Sequence, residues 1–215
     1  KEAGAGPVTE ADLEIDDFLK TFLLNCSPQY GWLSEETEDG SSRLTKTKVF
    51  IVDPIDGTRS FIAGDETWAH SLAVVENGIP LAAVIYLPKM DLLYTAEVGK
   101  GAFLNGNKIS VSQNRELKDA EILTKKSIFK ENIWKSGNPA QFRQRYRPSV
   151  AYRLALVADG TFDAMIALGV EIEKTENSDW QVTGVGLNGM VSPAKPLDLG
   201  NSGTGVRLLM GVVAG

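Results

Sequence analysis

Four consecutive apolar residues, Val49-Phe50-Ile51-Val52, run straight into Asp53-Pro54-Ile55-Asp56-Gly57-Thr58. The run reads as a buried strand from Lys48 to Asp53, stopped by the turn signal Asp-Pro. Any fold built on this chain must cover that strand and leave two carboxylates, three residues apart, at its open end. A proline-braced turn lets both converge on one point, which suits a hard divalent cation. Mg2+ takes an octahedral shell of oxygens, commonly one or two carboxylates with water and substrate phosphate, and the Ile55 carbonyl can complete it. Gly57 and Thr58 then open a short helical segment whose backbone N–H groups can receive a phosphate. Glu35 and Glu36, in a polar acidic loop that runs to Ser42, supply a further carboxylate if that loop folds over the turn. Taken singly, Asp53-Pro54 is equally well an ordinary β-turn, and Glu35-Glu36 a solvated loop. Their joint presence in this order is what points to a metal site.

The flanking sequence sets the architecture. Thr9 and Asp12 form an N-cap pair, and Ile15, Phe18, Leu19, Phe22 and Leu23 recur at helical spacing, so a helix with that buried stripe is expected from Glu10 to Asn25, ended by Ser27-Pro28. Strands are expected over Trp68 to Glu76 and Ile79 to Leu87, joined by Asn77-Gly78, a pairing that favours a type I′ hairpin. Leu92 to Val98, Ala102 to Leu104 and Lys108 to Val111 extend an antiparallel meander, the last two around Asn105-Gly106. From Gln113 to Pro148 the period is lost and basic residues gather (Lys125, Lys126, Arg143, Arg145, Arg147), most of them read as solvated. Ser149 caps a helix through Ala158 with Val150, Leu154 and Val157 inward, and Phe162 to Ile166 reads as a strand. The fold class is α+β or layered α/β. With 215 residues, one core or one core with an appendage is expected.

A net charge of -6, spread along the chain, argues against nucleic acid polymers and anionic membranes as partners. No apolar stretch reaches the ~18 residues of a membrane span, and Lys1 to Pro7 lacks a secretory apolar region, so a cytoplasmic location is expected. Cys26 is the only cysteine, which removes intrachain disulfides and Cys-based zinc sites. His70, the sole histidine, falls inside a strand pattern and reads as structural. The chain opens on Lys1 rather than Met, as expected of a stretch from within a longer sequence.

Trp32-Leu33-Ser34-Glu35-Glu36 followed by Val52 to Phe61 resembles the inositol monophosphatase family, and Pro7 to Asp12, Gly99 to Gly106 and Ser149 to Asp163 match it in the same order. The resemblance covers residues 1 to 169 and implies an αβαβα sandwich and Mg2+-dependent, lithium-sensitive hydrolysis of a small phosphorylated metabolite, with a homodimer allowed. It implies that Glu35, Asp53 and the Ile55 carbonyl hold one ion and that Asp53 and Asp56 hold a second. It also implies that Thr58, bonded toward Glu35, orients the attacking water, and that the Gly57 and Thr58 amides hold phosphate. Asp12 matches an acid associated with a third, loosely held ion, although helix capping explains it equally well. Ser149 and Arg153 are candidates for substrate contact. Arg59-Ser60-Phe61 and Ala63-Gly64-Asp65 are more similar to the bacterial 3′(2′),5′-bisphosphate nucleotidase branch than to the inositol branch, with inositol and histidinol phosphates as alternative substrates.

The resemblance breaks after Ala167-Leu168-Gly169. The family continues into a Trp-Asp segment whose Asp completes the second metal site. Here the nearest stretch, Asp179-Trp180-Gln181, offers a neutral amide, so a weakened second site is expected, and with it the alternative of a binding remnant that does not turn over. Residues 170–215 resemble instead a fragment of 5-enolpyruvylshikimate-3-phosphate synthase, through Trp180 to Gly186 and Leu197 to Gly211. In that family Asn201, Gly203, Thr204 and Arg207 lie at or beside the phosphoenolpyruvate site. The expectation is a joint of two unrelated sequences near Gly169, an incomplete C-terminal part of the phosphatase fold, and no transferase activity.

Overall fold

Thr9 starts the first helix for a local reason. Its side chain accepts from the Asp12 N–H at 3.3 Å while the Asp12 carboxylate accepts from the Thr9 N–H at 2.8 Å, a capping box that satisfies two otherwise orphaned donors. The computed structural model describes residues 7–125 and 141–166, together with the backbone of Glu171–Lys174 and Trp180–Thr183. Helix α1 spans Glu10–Cys26, as its periodicity indicates. Its inward face is not the expected one. Phe18 and Phe22 are 66% and 56% exposed and stack on each other, whereas Asp12 and Asp16 are buried, with Ile15, Leu19 and Leu23 half-buried beside them. The donors that satisfy Asp16 lie on the sheet side, and Phe18 and Phe22 sit about 200° and 240° further round the helix, so they face outward.

The main sheet has seven strands in sequence order: β1 (Gly31–Ser34), β2 (Lys48–Asp56), β3 (Ala69–Glu76), β4 (Ile79–Leu87), β5 (Leu92–Glu97), β6 (Gly101–Leu104) and β7 (Asn107–Lys108). From β2 onward it is the expected antiparallel meander. Asn77-Gly78 and Asn105-Gly106 turn two of its hairpins with all four residues at positive φ, the conformation that Asn-Gly tolerates and a type I′ turn requires. Strand β1, hidden in a stretch too short to show a period, pairs parallel to β2 after a crossover through a 3-10 turn at Ser41–Thr45, so the sheet is mixed. Strand β2 does not stop at Asp53. It continues to Asp56 across a bulge, in which Asp53 opposes Ser71 and Asp56 opposes Ala69, three steps against two. A bulge leaves one residue outside the ladder, so Pro54 can be accommodated there without a lost donor.

A second sheet, order β10-β8-β9, is parallel throughout and joins β8 (Glu121–Leu123), β9 (Arg143–Arg145) and β10 (Ala164–Met165). The aperiodic basic stretch therefore contains two strands, and two of its cations are paired rather than merely solvated: Arg145 lies 2.9 Å from Glu121, and Arg143 3.6 Å from Asp119. Helix α3 (Val150–Ala158) lies against the main sheet, where Ala69, Ala73 and Ala83 meet Ala151 and Ala155, and Ile85, Tyr94, Leu123 and Phe162 close the core. The Tyr94 hydroxyl donates to Asp159 at 2.8 Å and fixes the far end of α3; burial first, then Asp159, push the Tyr94 phenol well above its ordinary range. The result is an α+β fold with a mixed sheet. Strands β11 (Glu171–Lys174) and β12 (Trp180–Thr183) form a separate antiparallel pair; Asn201, Gly203, Thr204 and Arg207 lie outside the described residues. Among the described residues no helix is long and apolar enough to cross a membrane.

Asp163 ties three segments together, accepting from Ser112 Oγ (2.5 Å), the Glu121 N–H (2.8 Å) and Asn114 Nδ2 (3.1 Å). These bonds, the Ser112 hydroxyl first, hold its carboxyl below the ordinary carboxylate range. A depressed folded-state pKa contributes stability above the unfolded value of about 4 and loses it as pH falls through the folded one. Asp163→Asn is thus expected to lower Tm most above about pH 5, with the gap to wild type closing below about pH 4. Thermal melts across pH 2.5 to 7 check this, and a gap that widens on acidification contradicts it.

Candidate active site

The β2 bulge builds the site. Asp53, Ile55 and Asp56 are all buried, although two are charged. Ser71, opposite Asp53 on β3, shares its face of the sheet, since directly paired residues project the same way. His70 braces the bulge from the neighbouring position: its Nδ1 lies 2.5 Å from the Pro54 carbonyl, which can only accept, so Nδ1 carries the proton. The ring packs between Trp68 and Tyr86, in keeping with a structural histidine. Gly57 follows at φ 97°, a left-handed conformation that costs a side-chain-bearing residue roughly 1–2 kcal/mol. Its carbonyl accepts from the Ser60 and Phe61 N–H groups and starts the short helix α2 (Thr58–Ala63). The Thr58 hydroxyl donates to the Ile55 carbonyl at 3.1 Å, not toward Glu35. The acceptor is three residues back within the same turn, so local geometry alone supplies it.

Asp56 is docked onto α3. Its Oδ2 accepts from Ser149 Oγ at 2.5 Å and from the Ala151 N–H at 2.6 Å, while Ser149 Oγ also accepts from the Tyr152 N–H at 2.9 Å. A carboxylate from β2 thus occupies the positive end of a helix whose capping residue lies 93 positions later, the preferred place for a negative charge. Ser149 and Arg153 therefore do not form a substrate surface. Ser149 is fully buried; Arg153 is nearly so, donating through Nε to the Ser149 carbonyl with its guanidinium over the Tyr146 ring. Sequence reading identified the Ser149 cap correctly, but a bond of such separation leaves no local signal.

Glu35 reaches the same end of the sheet by strand pairing. β1 runs parallel to β2 with Ser34 opposite Val52, and the Glu35 N–H donates to the Val52 carbonyl at 3.2 Å, which sets Glu35 beside Asp53. Asp12, the other acid assigned by resemblance, is occupied by its capping box, where Thr9 Oγ1 also donates to it at 2.5 Å.

Whether these residues suit Mg2+ turns on donor chemistry. Among the described residues no group of three or more His, Cys, Asp or Glu is drawn together closely enough to hold a metal ion. Mg2+ does not require one, because it keeps several waters and binds through one or two carboxylates plus phosphate. The oxygens offered here, two buried carboxylates and a carbonyl from one turn, are hard donors of that kind. Ser71 Oγ, fully buried beside Asp53 with no hydrogen-bond partner among the described residues, is also a polar atom awaiting a ligand or its water. The set fits.

Comparison with known proteins gives a consistent likeness. Residues 1–180 match the inositol monophosphatase family. An inositol-1-monophosphatase of Rhizobium meliloti is 39% identical over 122 residues, 54% of this chain and 44% of that protein, so the chain spans less than half of this relative's length. The suhB extragenic suppressor protein of Bartonella henselae superposes with a TM-score of 0.66 at 32% identity, over 76% of this chain and 66% of that one. An IMPase/NADP phosphatase complexed with Mg2+ and phosphate gives 0.67 at 28%, over 75% and 62%.

Replacing Ser149 with Ala removes a donor from buried Asp56 and an acceptor from the Tyr152 N–H. The expected loss of stability is about 2–3 kcal/mol. Urea unfolding should show it as a lower midpoint at unchanged slope; a loss below about 0.5 kcal/mol contradicts the role given to this contact.

Proposed function

Because the chain belongs to the inositol monophosphatase family, we propose that it hydrolyses a small phosphate monoester in the cytoplasm with Mg2+ as cofactor. The observation that carries this reading is the buried bulge from Asp53 to Asp56, flanked by Glu35 on one side and the head of α2 on the other. Glu35, Asp53 and the Ile55 carbonyl are proposed to hold one ion, and Asp53 and Asp56 a second. Bound there, Mg2+ supplies an activated water and neutralises charge on phosphate oxygens. Glu35 would help take the water's proton. The Thr58 hydroxyl, whose proton goes to Ile55, keeps oxygen lone pairs with which to orient that water as acceptor. The Gly57 and Thr58 amides are proposed to hold the phosphate.

A 3′(2′),5′-bisphosphate nucleotide is the proposed substrate. Arg59-Ser60-Phe61 and Ala63-Gly64-Asp65 support it, as does the NADP phosphatase activity named for one structural relative. Inositol phosphate, named for the Rhizobium relative, is the alternative. A second reading, a remnant that binds Mg2+ and phosphate but turns over poorly, is favoured by Gln181 and by the absence of a gathered three-acid group among the described residues. We also propose that residues 170–215 are of foreign, synthase-like origin; the family match itself extends past Gly169 to residue 180.

Phosphate release from adenosine 3′,5′-bisphosphate and inositol 1-phosphate tests the reaction. Hydrolysis should require Mg2+, fall with lithium and be faster for the nucleotide. Losses of neighbouring support residues cost about 10- to 100-fold, so Asp53→Asn should lower kcat/KM by more than about 100-fold. Hydrolysis without Mg2+, or indifferent to lithium, contradicts the assignment. Wild-type turnover far below about 1 per second, restored by Gln181→Asp, supports the remnant reading instead.

A further inference from the structure

The loop that presents Glu35 is held by a carboxylate to which the proposed reaction gives no part. Asp16, one helical turn beyond Asp12 on α1, is buried. Ser34 Oγ donates to its Oδ1 and Thr37 Oγ1 donates to its Oδ2, both as short hydrogen bonds. The donors are themselves tied in: the Glu36 N–H donates to Ser34 Oγ at 3.3 Å, and Trp32 Nε1 donates to Thr37 Oγ1 at 3.4 Å. Glu35 and Glu36 thus lie between two hydroxyl residues that close on the two oxygens of one side chain. The near edge of the same loop is pinned to β2 through the Glu35 N–H and the Val52 carbonyl.

We infer that Asp16 is a positioning residue for Glu35: it fastens the loop after β1 to α1 at both ends, so that Glu35 stands over the β2 bulge before any ion arrives. The chemistry matches the position. An ionised carboxylate accepts only, and here it meets two hydroxyl donors, one on each oxygen. Loops are otherwise the low-stability parts of a fold, and a ligand on an unfastened loop must be ordered at the moment of binding. The clamp also accounts for the orientation of α1, which buries Asp12 and Asp16 and leaves Phe18 and Phe22 outside.

This inference rests on the reading of Glu35 as a metal ligand, and two readouts on the full chain separate the two claims. The first needs no metal: hydrogen exchange at the Glu35 and Glu36 amides. The second is the Mg2+ concentration that gives half the maximal thermal stabilisation. Asp16→Ala removes the clamp. Thr37→Val removes one arm while keeping shape, and serves if the alanine variant does not fold. Asp16→Asn keeps the size and can still bond both hydroxyls, accepting through one atom and donating through the other. Positioning predicts exchange at least about 10-fold faster, and a Mg2+ midpoint about 10-fold higher, in Asp16→Ala and Thr37→Val, with Asp16→Asn close to wild type. Unchanged exchange in Thr37→Val, or an Asp16→Asn variant as impaired as Asp16→Ala, overturns the inference, the latter because the charge and not the geometry would then matter. If Mg2+ does not stabilise the wild type at all, the phosphatase reading fails, while the exchange comparison still decides the role of Asp16.

Discussion

Asp56 Oδ2 receives the Ser149 hydroxyl and the Ala151 amide at the start of α3, and through them the β2 bulge is joined to a helix far along the chain. That contact gives a buried carboxylate at a strand end two hydrogen-bond donors, as a buried charge requires. With it, α3 can settle close against the sheet. The alanines at 69, 73, 83, 151 and 155 keep the two layers near enough for the bond, and Tyr94 secures the other end of the helix through Asp159. The position of the proposed metal ligand and the packing of the core are thus one structural fact.

The buried acids of α1 and β2 follow a common rule. Asp12 closes a capping box, Asp16 takes two hydroxyls, and Asp56 takes a hydroxyl and an amide. Each carboxylate is fixed by named donors before any ligand is present. Two buried carboxylates at one strand end, Asp53 and Asp56, still raise the local negative potential, which favours a divalent cation. Asp53 and Ser71, buried opposite one another on β2 and β3, mark where that cation is proposed to sit.

Much of this was legible in the sequence wherever the determinants are local. The Thr9 and Ser149 caps, both Asn-Gly turns and the meander after β2 are written in short-range patterns and stand as expected. The acidic turn was legible as a candidate site, but not as a bulged extension of β2, because a bulge depends on the partner strand. Strands β1, β8 and β9 are not legible for a similar reason: three- and four-residue strands carry too little alternation to read, and their pairing is parallel and distant, whereas β10 falls within the strand expected from Phe162 to Ile166. The buried face of α1 is not set by hydrophobic spacing, because Asp16 finds its donors in Ser34 and Thr37 on the sheet side. Family resemblance supplied the roles of Glu35 and Thr58; the fold adds that Thr58 leans on Ile55.

The central claim is that the acids around the β2 bulge and an incoming phosphate share divalent ions. Isothermal titration of Mg2+ into the full chain, with and without inorganic phosphate, addresses it directly, because ligands that share an ion must tighten each other's binding. The account predicts saturable Mg2+ binding that phosphate strengthens by about 5-fold or more. Absence of saturable binding, or an affinity that phosphate leaves unchanged, would contradict it.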